Sequence, residues 1–339
     1  EVTASALVEG MSLERAEVSD RDAKIHINGP VLNAVTRARL RQQVGYVLSN
    51  FSSVNKFELT YNGSVVGEDA PTGFQEAPMS PEISKRVVGL EDGKLVIRED
   101  YLSQQPETTG TESVTDASDP AINYDGTALA CLGDTGRSLY FFSGGKGQYL
   151  VKNKKMTAPS FDSFGWLWVA ESDGAVRAYN AASTNEKERS KGIEIPVSWR
   201  SGMTFSSLRI SHDGARVVVV GTRDGTAAVV MSGVVRDSSG TPKAFTEPVR
   251  VTSSITPRTA VWAGEQNLVV VNDKTGESEV TTLSGEETKF DRLDGVKSVS
   301  AAGNTSNMLA HRSDGSCYVL EERGWNRLNT STREMSFAG

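Results

Sequence analysis

The sequence predicts a mainly β protein: a β-propeller preceded by a small α/β unit that lacks its beginning. Three observations predict it. A Gly-bearing turn, a short apolar strand and a second Gly-bearing turn recur five times along the chain. The first glycines of these units, Gly126, Gly165, Gly214, Gly264 and Gly303, are spaced by 39, 49, 50 and 39 residues. The region before about residue 70 follows a different rule, with one helical stripe between two alternating segments.

The N-terminal elements come first. "DAKIHIN" at 22–28 alternates like a half-buried strand. "VLNAVTRARLRQQVGYVLSNF" then places Leu40, Val44, Val47, Leu48 and Phe51 on one helical face, and "KFELTYNG" alternates again before a turn at Asn62-Gly63. This is a β-α-β unit over residues 1–67, expected to lack an early strand. "NGP" at 28–30 carries a single glycine, so it reads as a plain helix start with Pro30 in the first turn rather than a phosphate loop. Residues 68–85 are rich in Pro, Gly and acidic side chains, which predicts a linker, and 103–119 has the composition of a mobile loop.

Residues 86–339 are assigned to the propeller. The repeated units are "YDGTALACLGDTG", "SFGWLWVAESDG", "HDGARVVVVGTRDG", "AGEQNLVVVNDKTG" and "AGNTSNMLAHRSDG". Asp-Gly suits the positive φ of tight hairpins, and the residues between the turns are β-branched, aromatic or small, as in buried strands. A further strand follows each second glycine, as in "RSLYFF" and "SCYVLEE", and a short one such as "SSLRIS" or "RTAVWA" leads into the next unit. Three to four strands per repeat match a propeller blade, which cannot bury its faces without neighbours. The hairpin "RVVGLEDGKLVIRED" upstream and "REMSFAG" at the end can complete another blade by pairing first and last strands. Six blades are therefore favoured, with five or seven as alternatives. "VVRDSSGTPKAF" at 234–245 reads as a long loop insertion.

Composition narrows the function. With 37% hydrophobic and 23% charged residues the chain is that of an ordinary globular protein, and its net charge of −7 disfavours nucleic acid as a partner. No run approaches the length of a spanning helix, and "EVTASALVEG" is not the start of a signal peptide, so any targeting segment is expected upstream of these residues.

The arrangement resembles a known family, the actinobacterial LpqB lipoproteins, which join a GerMN domain to a C-terminal β-propeller. The carriers are "IHINGPVLNAVTRARLRQQVGYVLSNFSSVNKFELTYNG", similar to the later strand, helix and strand of a GerMN domain, the "ISKRVVGLEDGKLV" junction and the propeller repeats. The resemblance implies a lipid anchor on the outer face of the cytoplasmic membrane and association with a sensor kinase of the MtrB type. The lipobox cysteine and the start of the GerMN domain are not among these residues, so the anchor is implied by the resemblance alone. It also implies an oxidising compartment for Cys131 and Cys317, although both lie in apolar strands and read as buried free thiols.

The inventory for chemistry is thin, and no catalytic, cofactor-binding or metal-ligating residue is assigned. His26, His212 and His311 are the only histidines, with no two at helical ligand spacing. His212 sits in a turn beside Asp213 without a nucleophile. Glu99-Asp100 and Glu321-Glu322 are strand neighbours that face opposite ways, unlike paired glycosidase carboxylates. Asp125, Asp173, Asp213, Asp224 and Asp314 supply too few oxygens per turn for calcium and read as turn residues. Trp166 and Trp168 share a sheet face, where packing between blades is the better reading than stacking on a sugar. Arg37, Arg39 and Arg41 read as a solvated helix face, with a docking surface as the alternative. The expectation is a non-enzymatic interaction protein without cofactor. The alternatives are a module that binds cell-wall glycan or peptide, marked by a cluster of exposed aromatics and carboxylates in the propeller mouth, and a hydrolase or lyase, marked by an axial set of His, carboxylate and Arg.

Overall fold

The computed structural model describes residues 6–339 apart from 50, 52, 70, 72–73, 75–84, 104–106, 109–112, 238, 252, 284–285 and 323. The chain divides into two compact units, Thr3–Glu82 and Ile83–Gly339. The stretch read as a linker, 68–85, and the centre of the loop read at 103–119 lie largely outside the described residues.

In the smaller unit, Ser12–Ser19, Asp22–Asn28, Lys56–Tyr61 and Ser64–Val65 form one sheet in chain order. The second and third strands are parallel, joined by the helix Ala34–Ser49. The first strand has no counterpart in the sequence reading, because its residues are almost all exposed and show no apolar alternation. The helix also starts later than expected. Asn33 caps it, its Oδ1 accepting from Thr36 N at 2.8 Å, while Pro30 lies outside and its carbonyl accepts from the Tyr61 hydroxyl at 2.6 Å. Its buried stripe is narrower than predicted. Leu40 is fully buried against Leu59 and Ile27, and Val44 packs at the margin, but Val47 and Phe51 are exposed. Asn62 and Gly63 form the expected turn, both with positive φ.

The larger unit is a β-propeller. Its described residues form six sheets of four or five strands, each read outward from an innermost strand: Ser118–Ile122, Ser160–Phe161, Met203–Ile210, Pro257–Trp262, Val296–Ala301 and Arg333–Phe337. These innermost strands touch one another in sequence and the last touches the first, so they close a ring. The sixth sheet joins the two ends of the unit, because Arg333–Phe337 pairs antiparallel with Val87–Glu91 of the upstream hairpin. A propeller leaves only short, protected strand edges, and the apolar faces are buried sheet against sheet: Trp168, Val176 and Ala178 pack with Leu208, Val217 and Val219 of the next blade. Within the segment read as a loop at 103–119, Glu107–Thr108 pairs with Val96 and Ile97, and Ser118 begins an innermost strand.

The glycines of the repeat behave as the sequence required. All ten, from Gly126 to Gly315, have positive φ. Asp224 shares it at 50°, but Asp125, Asp173, Asp213 and Asp314 do not. Their Oδ1 atoms instead accept the backbone N–H two residues on, at 2.8 to 3.0 Å. Gly225→Val and Gly315→Val therefore differ in expected cost. At Gly225 a side chain meets open space and only backbone strain, about 1 to 3 kcal/mol, is paid. At Gly315 a Cβ would also stand 2.6 Å from Arg333 Cδ on the closing strand. Denaturant unfolding of both variants should show Gly315→Val as the less stable; the reverse order would contradict this packing.

The predicted insertion at 234–245 is not a loop. The strand Thr226–Arg236 runs on into it and pairs with Pro242–Phe245, and Phe245 is buried against Trp168. Alternation in "VVRDSSGTPKAF" is masked by the turn residues at its centre. A six-residue helix, Glu186–Lys191, capped by Asn185, was also not foreseen.

Candidate functional site

Five of the innermost strands carry a β-bulge, at Asp119, Ser206, Arg258, Lys297 and Glu334. The bulges re-aim Ser206, Arg258, Lys297 and Glu334 so that the side chain of each reaches the neighbouring blade. Ser206 Oγ donates to Arg258 O at 2.8 Å, Arg258 Nη1 to Val296 O at 3.2 Å, and Lys297 Nζ to Glu334 Oε1 at 3.2 Å. Glu334 Oε2 then accepts from Asp119 N at 2.7 Å. Asp119 and Glu334 both sit in the left-handed region, at φ 52° and 53°, a strained choice held by the surrounding pairing.

At the carboxyl ends of the innermost strands the axis opens into a cavity of about 60 Å³, lined among others by Tyr124, Arg209, His212, Trp262, Ser300 and Phe337. Five blades contribute to it, which is why no single sequence segment announces it. Arg209 is held in place from two sides. Its Nη1 donates to Ala158 O at 2.8 Å and Pro159 O at 3.0 Å, and its own carbonyl accepts from Trp262 Nε1 at 3.1 Å. Burial pulls the Arg209 pKa down, opposed by the field of Asp119. The rings of Tyr124 and His212 meet edge to face at 4.5 Å. Burial, then the fields of Asp162 and Asp213, raise the Tyr124 phenol, which stays protonated at neutral pH. Burial also lowers the His212 pKa, with Asp213 and Glu265 opposing, so its imidazole is neutral at pH 7.

The other residues singled out from the sequence are mostly used by the fold. Trp168 is fully buried, its Nε1 donating to Asp162 Oδ2 at 2.7 Å, and Trp166 packs on the same cluster. Arg41 leaves the expected basic face: it bonds Val66 O at 3.2 Å and Glu68 at 2.8 Å and stacks on Phe57, while Arg37 and Arg39 are exposed. Asp100 caps Leu102 and Ser103, and Glu321 accepts from Asn326. His26 bonds Thr60 in the smaller unit, and the buried His311 lies 2.9 Å from Ser298 Oγ. Cys131 and Cys317 are free and buried in separate clusters. Burial pushes the Cys131 thiol up to about 12, far from the range of a reactive thiolate.

The axis thus holds a histidine, arginines and carboxylates, the residue types of the hydrolase or lyase alternative. A hydrolase of the triad type needs a nucleophile bonded to an oriented base. Among the described residues, no hydrogen bond orients the His212 ring. The Asp213 carboxylate is directed to Ser211, Ala215 N and Arg216.

The closed ring of sheets defines a β-propeller. The family profile described as the lipoprotein LpqB β-propeller domain matches residues 94–335, and the chain belongs to that family. Two curated relatives named lipoprotein LpqB, from Streptomyces avermitilis and Streptomyces coelicolor, are each 27% identical to it, over 171 and 174 residues. Each match covers 46% of this chain and only 27% of the relative. Among solved structures, a chain of a nidogen/laminin complex matches with a TM-score of 0.51 at 10% identity, covering 75% of this chain and 98% of that one, a likeness of fold alone. Among the described residues no helix is long and apolar enough to cross a membrane.

Proposed function

We propose that the protein is a non-enzymatic part of an extracytoplasmic, lipid-anchored envelope protein, and that its propeller holds a protein partner, the extracytoplasmic region of a sensor kinase of the MtrB type. Membership of the LpqB family carries this reading. The geometry supports it, since a ring closed through its own ends is a stiff frame for many short loops. The smaller unit, outside the matched residues, is proposed to be GerMN-like and to act as a spacer or second contact. Titration of the whole chain against the purified sensor region of such a kinase is the test. Saturable binding at one-to-one stoichiometry is expected, and a flat titration at concentrations up to about 100 μM, the weak end of specific recognition, would refute the partner.

The second reading, a module for a cell-wall glycan or peptide, rests on Tyr124 in the axial mouth, since Trp262 and Phe337, which also line it, are buried. The same mouth presents the guanidinium of Arg209.

A further inference from the structure

We infer that the axial mouth is a binding site for a carboxylate, received by the Nε–Nη2 edge of Arg209 with the Tyr124 hydroxyl and the His212 ring completing the site. This goes beyond the kinase-partner reading and does not depend on it.

The guanidinium presents a selected edge. Its Nη1 is consumed by the carbonyls of Ala158, Pro159 and, at 3.4 Å, Leu208. Among the described residues, Nε and Nη2 have no protein partner, and Arg209 lines the cavity. Those two nitrogens carry parallel N–H groups spaced to match the two oxygens of a carboxylate, the pairing for which arginine is suited and lysine is not. A half-buried guanidinium without an ion pair is costly, so an incoming anion gains both charge and hydrogen bonds.

The surrounding groups select further. Tyr124 and His212 line the same cavity, and among the described residues neither the phenol nor the imidazole bonds to protein. Three polar side chains from two blades therefore converge on one space, the pattern of a small-ligand site with few fixed polar groups. Charges deeper on the axis are largely matched: Lys297 pairs with Glu334. Asp119 is the carboxylate whose field reaches Arg209, and it reaches Lys297 and His311 as well, so its charge is shared. The cavity of about 60 Å³ has room for roughly four waters, which fits a carboxylate with a short alkyl group.

A small free acid and the C-terminus of a peptide share this chemistry. Isothermal titration at pH 7 with propionate, propionamide, N-acetyl-dialanine and its C-terminal amide separates them. Both carboxylates are expected to bind saturably and both amides not. Binding of the peptide acid about tenfold or more tighter than propionate, a difference of about 1.4 kcal/mol, assigns the site to peptide termini; equal affinity assigns it to free acids. Arg209→Lys keeps the charge and loses the fork, and should weaken binding at least about tenfold, with Tyr124→Phe intermediate. Thermal unfolding of each variant establishes that it folds. Should Arg209→Lys misfold, Tyr124→Phe and the amide controls still decide. Binding of the amides equal to that of the acids, no saturable binding of either acid, or a folded Arg209→Lys with unchanged affinity would overturn the proposal.

Discussion

Replacing Asp162 with alanine is expected to remove about 3 to 5 kcal/mol of stability, the cost of leaving a buried charge without its partner. Asp162 follows the two-residue innermost strand Ser160–Phe161, and its side chain is fully buried. Oδ1 accepts from Phe164 N at 2.9 Å and Trp166 N at 2.8 Å, shaping the turn. Oδ2 accepts from Trp168 Nε1 at 2.7 Å and from Arg236 Nη2 at 2.6 Å. Arg236 stands on the unforeseen hairpin of the third sheet, where it also donates to Gly214 O and Gly240 O and covers the ring of Phe164. One carboxylate therefore joins the second blade to the third. Arg236→Met should cost less, because Asp162 keeps three N–H donors, and the double variant should cost less than the two single changes summed. Chemical denaturation monitored by circular dichroism measures all three. A loss below about 1 kcal/mol for Asp162→Ala, the size of an exposed pair, would show that solvent already reaches the bridge.

How much of this could be read from the sequence depends on whether the signal is local. The repeat was legible because a positive φ nearly demands glycine, and the ten turn glycines recur in register. Closure by the last strand was legible because "REMSFAG" is left over after the last repeat and can pair with the upstream hairpin. The mouth was not. Tyr124 and Arg209 are 85 positions apart in a chain of 339 residues, and "SSLRIS" contains nothing that marks its arginine as axial. The bulges that turn Lys297 and Glu334 toward their neighbours depend on the register of a partner strand, which alternation does not encode. The strand Ser12–Ser19 escaped for the opposite reason: it is held by pairing with Asp22–Asn28 and buries little of its own. The expected apolar face of the helix was read too wide, since one strand pair covers Leu40 and Val44 but not Val47 or Phe51.

The closing blade should be the other point where a single change has a large effect. Arg98 is 3% exposed, and it clasps the last strand to the first hairpin. Its Nε donates to Thr332 Oγ1 at 2.6 Å and its Nη2 pairs with Glu91 Oε1 at 2.7 Å, while the Thr332 hydroxyl donates to the same carboxylate oxygen. The fit is tight from the other side too, since a Cβ on Gly89 would stand 2.2 Å from Thr332 Cγ2 and 3.1 Å from Arg333 O. Arg98→Ala is expected to cost about 2 to 3 kcal/mol, the scale of charged hydrogen bonds, because the buried guanidinium is lost from Thr332 and Glu91 while Glu91 itself stays partly solvated. Gly89→Ala should loosen the same seam by steric pressure alone. A pH signature separates loss of the clasp from a general packing defect. Burial would raise the Glu91 pKa, but the Thr332 hydroxyl and the Arg98 guanidinium outweigh it and hold the carboxyl below its ordinary 4.5. A depressed carboxyl contributes stability that is present above the unfolded value and lost as pH falls through the folded one. The native protein should therefore lose stability as the pH drops below about 4.5, and Arg98→Ala should lose less over the same interval, because its Glu91 is no longer depressed. Unfolding free energies at pH 7, 5, 4 and 3 for both proteins give the comparison. Parallel acid profiles would place the acid-sensitive groups elsewhere, among them the buried His311, and would remove the clasp from the account of ring closure.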